Sequence, residues 1–466
     1  MSIPLRIMLA SGTIFCSLAS TAAFASPAYS LLTTIPINVG SNKFTGYDLS
    51  IIDPSTQLYY LTDRSAGAVD VISTQTNTLV ERIGQGAGLF GGVSTGNNTA
   101  GPNGISITTL GDGTKLLLAG NTAPNSTTGN VIAFNLASNG LTVSQTRTIT
   151  TANSLTPSPA NRVDGVAYAP GANTILAANN ASTPGVITIV SNATGQNVNT
   201  LVLNGMNGLP NAQGNGVEGP IYNTVTKTFM IAIPNLTSDA QGNGTGGGGV
   251  IEIDPVTGKL LRTFSFDALG APGPCNPNGI TQGPNGTIGI ACGTSGTAAN
   301  PGLTLFLDPA ANGGAGKLTS STAVTGADQI AYDTSRNLYF EAARFALPGG
   351  AGGSTPVLGV FDSNGNFIQS IPITNNDHSV AVDPVSGEVL VAYGATSTAP
   401  GTNNIAGCSL GCVAVFAQVP EPSSITLVAA GLLGVGAAFR RRRAKTVTRP
   451  GLTGGFDDCL TSSVSA

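Results

Sequence analysis

The chain has 466 residues, of which only 9% are charged, with 63 glycines, no tryptophan, one histidine and a formal net charge of −4. Such a sparse, slightly acidic charge set offers no basic surface to nucleic acid, and its one dense basic cluster adjoins an apolar segment. So much glycine would suit disorder, yet apolar β-branched runs such as Val186-Ile187-Thr188-Ile189-Val190 recur throughout and imply an all-β protein with many turns.

Residues 1–25 read as a cleavable signal peptide. A basic start ends near Arg6, an apolar run extends from Ile7 to Leu18, and Ala23-Phe24-Ala25 supplies a small-residue exit before Ser26. The apolar run is too short to be expected as a membrane anchor. Export implies an oxidising compartment, and four cysteines lie in the body of the chain, Cys275, Cys292, Cys408 and Cys412. Their even number predicts two disulfides, and sequence proximity favours Cys275 with Cys292 and Cys408 with Cys412. Neither pair has C-x-x-C spacing, and His378 has no second histidine to help complete a zinc site.

From residue 31 to 418 one pattern repeats: a polar start, an apolar strand, a tight turn, a second strand, a loop, a third strand, a turn and a fourth. The first unit reads Tyr47 to Ile52, Leu58 to Thr62, Ala68 to Ile72 and Thr78 to Ile83. The later inner-strand starts are Asn103-Gly104, Asp164-Gly165, Glu218-Gly219, Asn278-Gly279, Asp328-Gln329 and Asp377-His378. A period of about 50–60 residues with four short strands defines a propeller blade, and seven starts predict a seven-bladed β-propeller. The seventh blade lacks a fourth strand of its own. Leu32 to Asn38, which reads much like Ile368 to Thr374 in the sixth blade, is expected to supply it and close the ring. Proline in both segments fits an outer edge, where a missing N–H costs little.

Leu58-Tyr59-Tyr60-Leu61-Thr62-Asp63, Gly67-Ala68-Val69-Asp70-Val71-Ile72 and Thr76-Asn77-Thr78-Leu79-Val80 resemble the blade pattern of the YVTN family of seven-bladed propellers. That resemblance implies architecture and says little of activity.

Turns between strands one and two and between three and four are short, such as Gly111-Asp112-Gly113. The other connections are long, among them Gly84 to Pro102, Thr150 to Arg162 and Gly394 to Gly411. All elaboration is therefore expected on one face, where binding residues concentrate. The inner-strand starts should open on that face as a ring of Asp48, Asn103, Asp164, Glu218, Asn278, Asp328 and Asp377 or His378. Converging oxygens suit Ca²⁺ or another divalent cation, whereas Asn-Gly and Asp-Gly are also ordinary turn chemistry. Val217-Glu218-Gly219-Pro220, Pro277-Asn278-Gly279-Ile280 and Pro102-Asn103-Gly104-Ile105 are similar to metal-ligand motifs of the gluconolactonase and regucalcin family. This second resemblance implies a metal held by Glu218, Asn278 and Asp328 that assists lactone hydrolysis. Nucleophilic catalysis has little support: adjacent Asp377 and His378 would point to opposite faces of a strand, and no Gly-x-Ser-x-Gly elbow, phosphate loop or haem motif occurs. Arg64, Arg162, Arg344 and Glu341 fall at ends of second strands or in long loops, either holding a carbohydrate or carboxylate or simply solvated.

The chain ends on a second address. Val419-Pro420-Glu421-Pro422 precedes an uncharged stretch from Ile425 to Phe439, then Arg440-Arg441-Arg442-Arg443, with a tail over residues 446–466. As a helix the uncharged stretch spans about 22 Å, extended by snorkelling arginines that should stay cytoplasmic. These parts together, residues 419–445, resemble the PEP-CTERM sorting domain recognised by an exosortase of Gram-negative bacteria that build extracellular polysaccharide. The resemblance implies a membrane-anchored precursor, cleavage near Val419 to Pro422, and transfer to the cell surface or matrix. The expected function is a non-enzymatic surface propeller binding glycan or protein through its loop-rich face. The alternatives are a metal-assisted lactonase and a structural surface-layer protein.

Overall fold

The computed structural model describes residues 28–37, 43–93, 99–151, 161–212, 216–239, 244–293, 303–346, 356–373, 378–395, 405 and 407–419. The expected signal peptide over residues 1–25, Asp377, and the sorting residues Pro420, Glu421, Pro422 and Arg440 to Arg443 lie outside them. By contacts the chain divides into two units, Ser26–Gln418 and the two end segments together. The first is the propeller. Among the described residues no helix is long and apolar enough to cross a membrane.

Seven four-stranded antiparallel sheets make up the described strands. Blade one runs Tyr47–Asp53, Leu58–Asp63, Ala68–Ser73 and Thr78–Ile83 from channel to rim. Blades two to six repeat that order behind inner strands Ile105–Thr109, Gly165–Ala169, Pro220–Asn223, Pro277–Gln282 and Val324–Asp333. Blade seven runs Val380–Val382, Val389–Tyr393 and Cys412–Gln418, and its fourth strand is Tyr29–Pro36 from the other end of the chain. The closing register pairs Tyr29 with Gln418 and Pro36 with Cys412. Tyr29 is locked by more than its strand. Its ring is buried edge-on against Phe340 at 5.0 Å, and the Gln369 amide of blade six bonds both its backbone N–H and its carbonyl.

The core lies between the blades, as seven apolar clusters, one for each interface. This explains why second strands are apolar at nearly every position rather than at alternate ones. Leu116 and Leu118 face blade three while Leu117 and Ala119 face blade one, so consecutive side chains are buried on opposite faces of one sheet. Fourth strands lie at the rim and are far less buried; Val143–Thr150 is exposed at most positions.

Polar groups staple neighbouring blades on the short-turn face. Lys115 of blade two is almost fully buried and pairs with Asp53 of blade one at 2.9 Å. Asp383 of blade seven accepts from Thr74 of blade one at 2.6 Å, and Arg336 of blade six reaches the Ser386 carbonyl of blade seven at 3.0 Å. Both predicted disulfides are present, Cys275–Cys292 and Cys408–Cys412.

Candidate site at the mouth of the channel

A first strand begins opposite the end of the second, because the two are antiparallel: Tyr47 pairs with Asp63 and Gly165 with Ala178. Residues just before one strand and just after the other therefore share the channel mouth. In blades one, five and six the ring residue sits at a break in register, between Tyr47 and Ser50, Pro277 and Ile280, and Ala327 and Gln329. Such bulges re-aim a side chain that a regular strand would direct elsewhere.

The glycines after the ring residues are not turn residues. Gly104, Gly165, Gly219 and Gly279 all lie outside the left-handed region. A Cβ at Gly104 would collide with the Asp164 carbonyl, and one at Gly279 with the Asp328 carbonyl. Inner strands crowd around the axis, and glycine is what lets adjacent blades touch. Gly219 uses that closeness to donate its N–H to the Asn278 carbonyl at 2.8 Å.

Asp48, Asp164, Glu218, Asn278, Asp328 and His378 border a single cavity of about 390 Å³. Asn103, expected among them, stands behind it, wholly buried, accepting from Arg64 at 2.7 Å and donating to the Ala100 and Val163 carbonyls. Three further polar residues line it, Arg64, Arg162 and Asn180. The two arginines, readable from sequence as loop charges, are built into the site. Arg64 bonds Asp48 and Asn103, joining blades one and two. Arg162 bonds Asp164 and Asn180, each at 3.0 Å, and Asn180 passes its amide to Glu218 at 2.5 Å and to the Val217 carbonyl at 3.0 Å, linking blades three and four. Asn278 donates to Asp328 across blades five and six. Arg64 and Asn180 each follow directly on a second strand, so the strand register could have placed them opposite Asp48 and Asp164.

His378 stacks on Tyr47 with ring centroids 4.6 Å apart, and its Nε2 lies 3.9 Å from Asp48 Oδ1. Its acidic neighbour in space thus belongs to blade one. Glu341 is corrected outright: it is neither a loop residue nor solvated, but fully buried in the second strand of blade six, Leu338–Ala346, accepting from Thr304 at 2.6 Å. Arg344 belongs to that same strand rather than to the following loop.

Burial pushes the Asp48 carboxyl up to about 6, with Arg64 pulling it down and Asp164 pushing it further up. Burial also drives Glu218 well above the ordinary range, and Asp164 and Asp328 add to the effect. Burial works against the charge of Arg162, and Asp164, Asp48 and Glu218 together outweigh it. The mouth therefore combines acceptors, amide donors and two guanidiniums, several fixed by mutual hydrogen bonds. As placed, the proposed metal set is less apt: Asn278 turns its amide N–H toward Asp328, and Glu218 accepts from Asn180. Among the described residues no group of three or more His, Cys, Asp or Glu could hold a metal ion.

These features define an all-β, seven-bladed propeller with a polar channel mouth. Residues 418–443 match the PEP-CTERM protein-sorting motif, so the chain carries that sorting tail, which implies exosortase-dependent export of a membrane-anchored precursor. No curated protein matches the chain. A solved structure described as "Structure of U3-55K" aligns with a TM-score of 0.48 and 10% identity, covering 84% of this chain and 99% of that one.

Proposed function

We propose that this exported propeller is a binding protein that takes a glycan at the loop-side mouth of its channel. The observation behind this reading is the 390 Å³ cavity bordered by Asp48, Arg64, Arg162, Asp164, Asn180 and Glu218, a volume within the range of about 300–1,000 Å³ usual for ligand sites. Sugar hydroxyls both donate and accept, and neighbouring hydroxyls present the paired geometry that planar carboxylates, amides and guanidiniums match. Hydrogen bonds between blades hold several of these groups in position before a ligand arrives, which lowers the ordering cost of binding. A protein partner on the same face and a structural surface-layer role remain the competing readings. Lactone hydrolysis has less support, because the residues offered for its metal are turned toward hydrogen-bond partners.

Calorimetric titration of the mature protein with oligosaccharides from its host's extracellular polysaccharide is expected to show saturable binding. Asp164→Asn and Asn180→Ala should each weaken it about tenfold or more, the scale of losing hydrogen bonds at a charged site. Absence of glycan binding, or wild-type affinity in both variants, would overturn this reading.

A further inference from the structure

The channel does not end at its polar mouth. A second cavity of about 430 Å³ continues along the inner strands, and the two share Leu49, Gly165, Gly219 and Gly279 in their walls. A Cβ at Gly165 or Gly279 would strike the next blade, so neither position tolerates a side chain, and backbone alone borders the neck at these positions.

Beyond the neck the chemistry of the wall changes. Ile51, Thr108, Ile221, Tyr222, Thr281 and Tyr332 are among its lining residues, with Ser50, Ser106 and Gln329 as further polar groups, and among the described residues no charged side chain borders it. An inner strand of five residues such as Gly165–Ala169 spans about 16 Å. A ligand polar throughout would satisfy the mouth and gain little below, where Gln329 is already bonded to the Ser50 and Val380 backbone. One apolar throughout would desolvate the charges of the mouth without pairing them, which is costly. A polar head on a single apolar chain matches both halves. Charge selects the head: Asp48, Asp164, Glu218 and Asp328 border the mouth beside Arg64 and Arg162, and although burial favours the protonated forms of Asp48 and Glu218, an ammonium placed among them favours the carboxylates.

We propose that the channel binds a single-chain amphiphile, its amine-bearing sugar head in the mouth and its apolar tail through the glycine neck toward the short-turn face. This rests on the glycan reading and specifies its ligand.

The test is calorimetric titration of the mature protein with octyl 2-amino-2-deoxyglucoside, its hexyl homologue, octyl glucuronide and free glucosamine, all kept below micelle-forming concentrations. One octyl aminoglucoside should bind per protein. The hexyl homologue should bind about tenfold more weakly, following the usual gain per buried methylene. Glucosamine and the anionic glucuronide should each bind more weakly still. Thr281→Trp and Thr108→Trp, which fill the apolar half, should abolish the advantage of the octyl over the hexyl chain while leaving glucosamine affinity unchanged; a melting curve selects whichever variant folds as wild type. Asp328→Asn should weaken all three amines.

Affinity independent of chain length, several octyl chains bound per protein, or a chain-length effect that survives a folded Trp variant would overturn the proposal. Sugar binding at the mouth with no chain-length effect would sink the amphiphile and spare the glycan reading. Absence of binding by every head would sink both.

Discussion

Glu341 shows what one misplaced-looking residue does to the energetics. Its carboxyl is sealed between blades five and six with a single hydroxyl partner, and burial pushes it up to about 8 while the Thr304 bond pulls it down. Free in the unfolded chain it titrates near about 4.3. Between those values the native state holds a proton that the unfolded state has lost, so Glu341 lowers stability as pH rises through that window, by up to about 1.4 kcal/mol per pH unit. Urea unfolding at pH 5 and pH 8 should show Glu341→Gln less sensitive to pH than wild type and more stable at pH 8. Equal pH dependence in the two proteins would refute this. At this scale the sequence was legible in part. The ring of Asp48, Asp164, Glu218, Asn278 and Asp328 stood out because an acid or amide recurs at the start of each inner strand, before glycine at Asp164, Glu218 and Asn278. Glu341, Arg64 and Arg162 did not, because a charge near a strand end looks the same whether a neighbouring blade covers it or water does.

Strands were far easier to read than side chains. A second strand buried on both faces is written as a mostly apolar run, and an outer strand as one that carries charges, as in Leu58–Asp63 and Thr78–Ile83, and their order within the repeat declared their positions in the blade. Likeness to residues 368–374, read as the rim strand of blade six, marked the N-terminal strand, which has no blade of its own. What escaped the sequence was the bulge at each of Asp48, Asn278 and Asp328, since register depends on the partner strand and not on local composition. Deleting residues 29–36 should uncover the edge of Cys412–Gln418 and remove Tyr29 from its pocket at Phe340. The truncated protein is expected to melt several degrees lower or to aggregate, measured by thermal denaturation with light scattering. An unchanged melting temperature would mean that the ring is closed by other contacts.

Over the whole molecule, period alone revealed the number of blades, because each blade buries its faces only against copies of the same four-strand unit. The ends announced themselves by a different chemistry, short apolar segments with charge on one side, and residues 418–443 carry the sorting motif. In a host with an exosortase, the mature protein should lose the segment beyond about Pro422, and substitution of Glu421 or of Arg440 to Arg443 should leave an uncleaved membrane form. Intact mass spectrometry decides this, and a product running from residue 26 to residue 466 would contradict it.

The sorting motif begins at Gln418, the last residue of the strand that the chain's own N-terminus covers. Until Tyr29–Pro36 docks, Cys412–Gln418 is an edge, bonded on one side to Val389–Tyr393; afterwards it is an interior strand bonded on both. Any pull on the precursor's membrane tether enters the propeller through that strand. Ring closure therefore sets how the domain bears mechanical load. Drawn against a single ladder the strand would peel, whereas between two ladders it must slide past both neighbours at once.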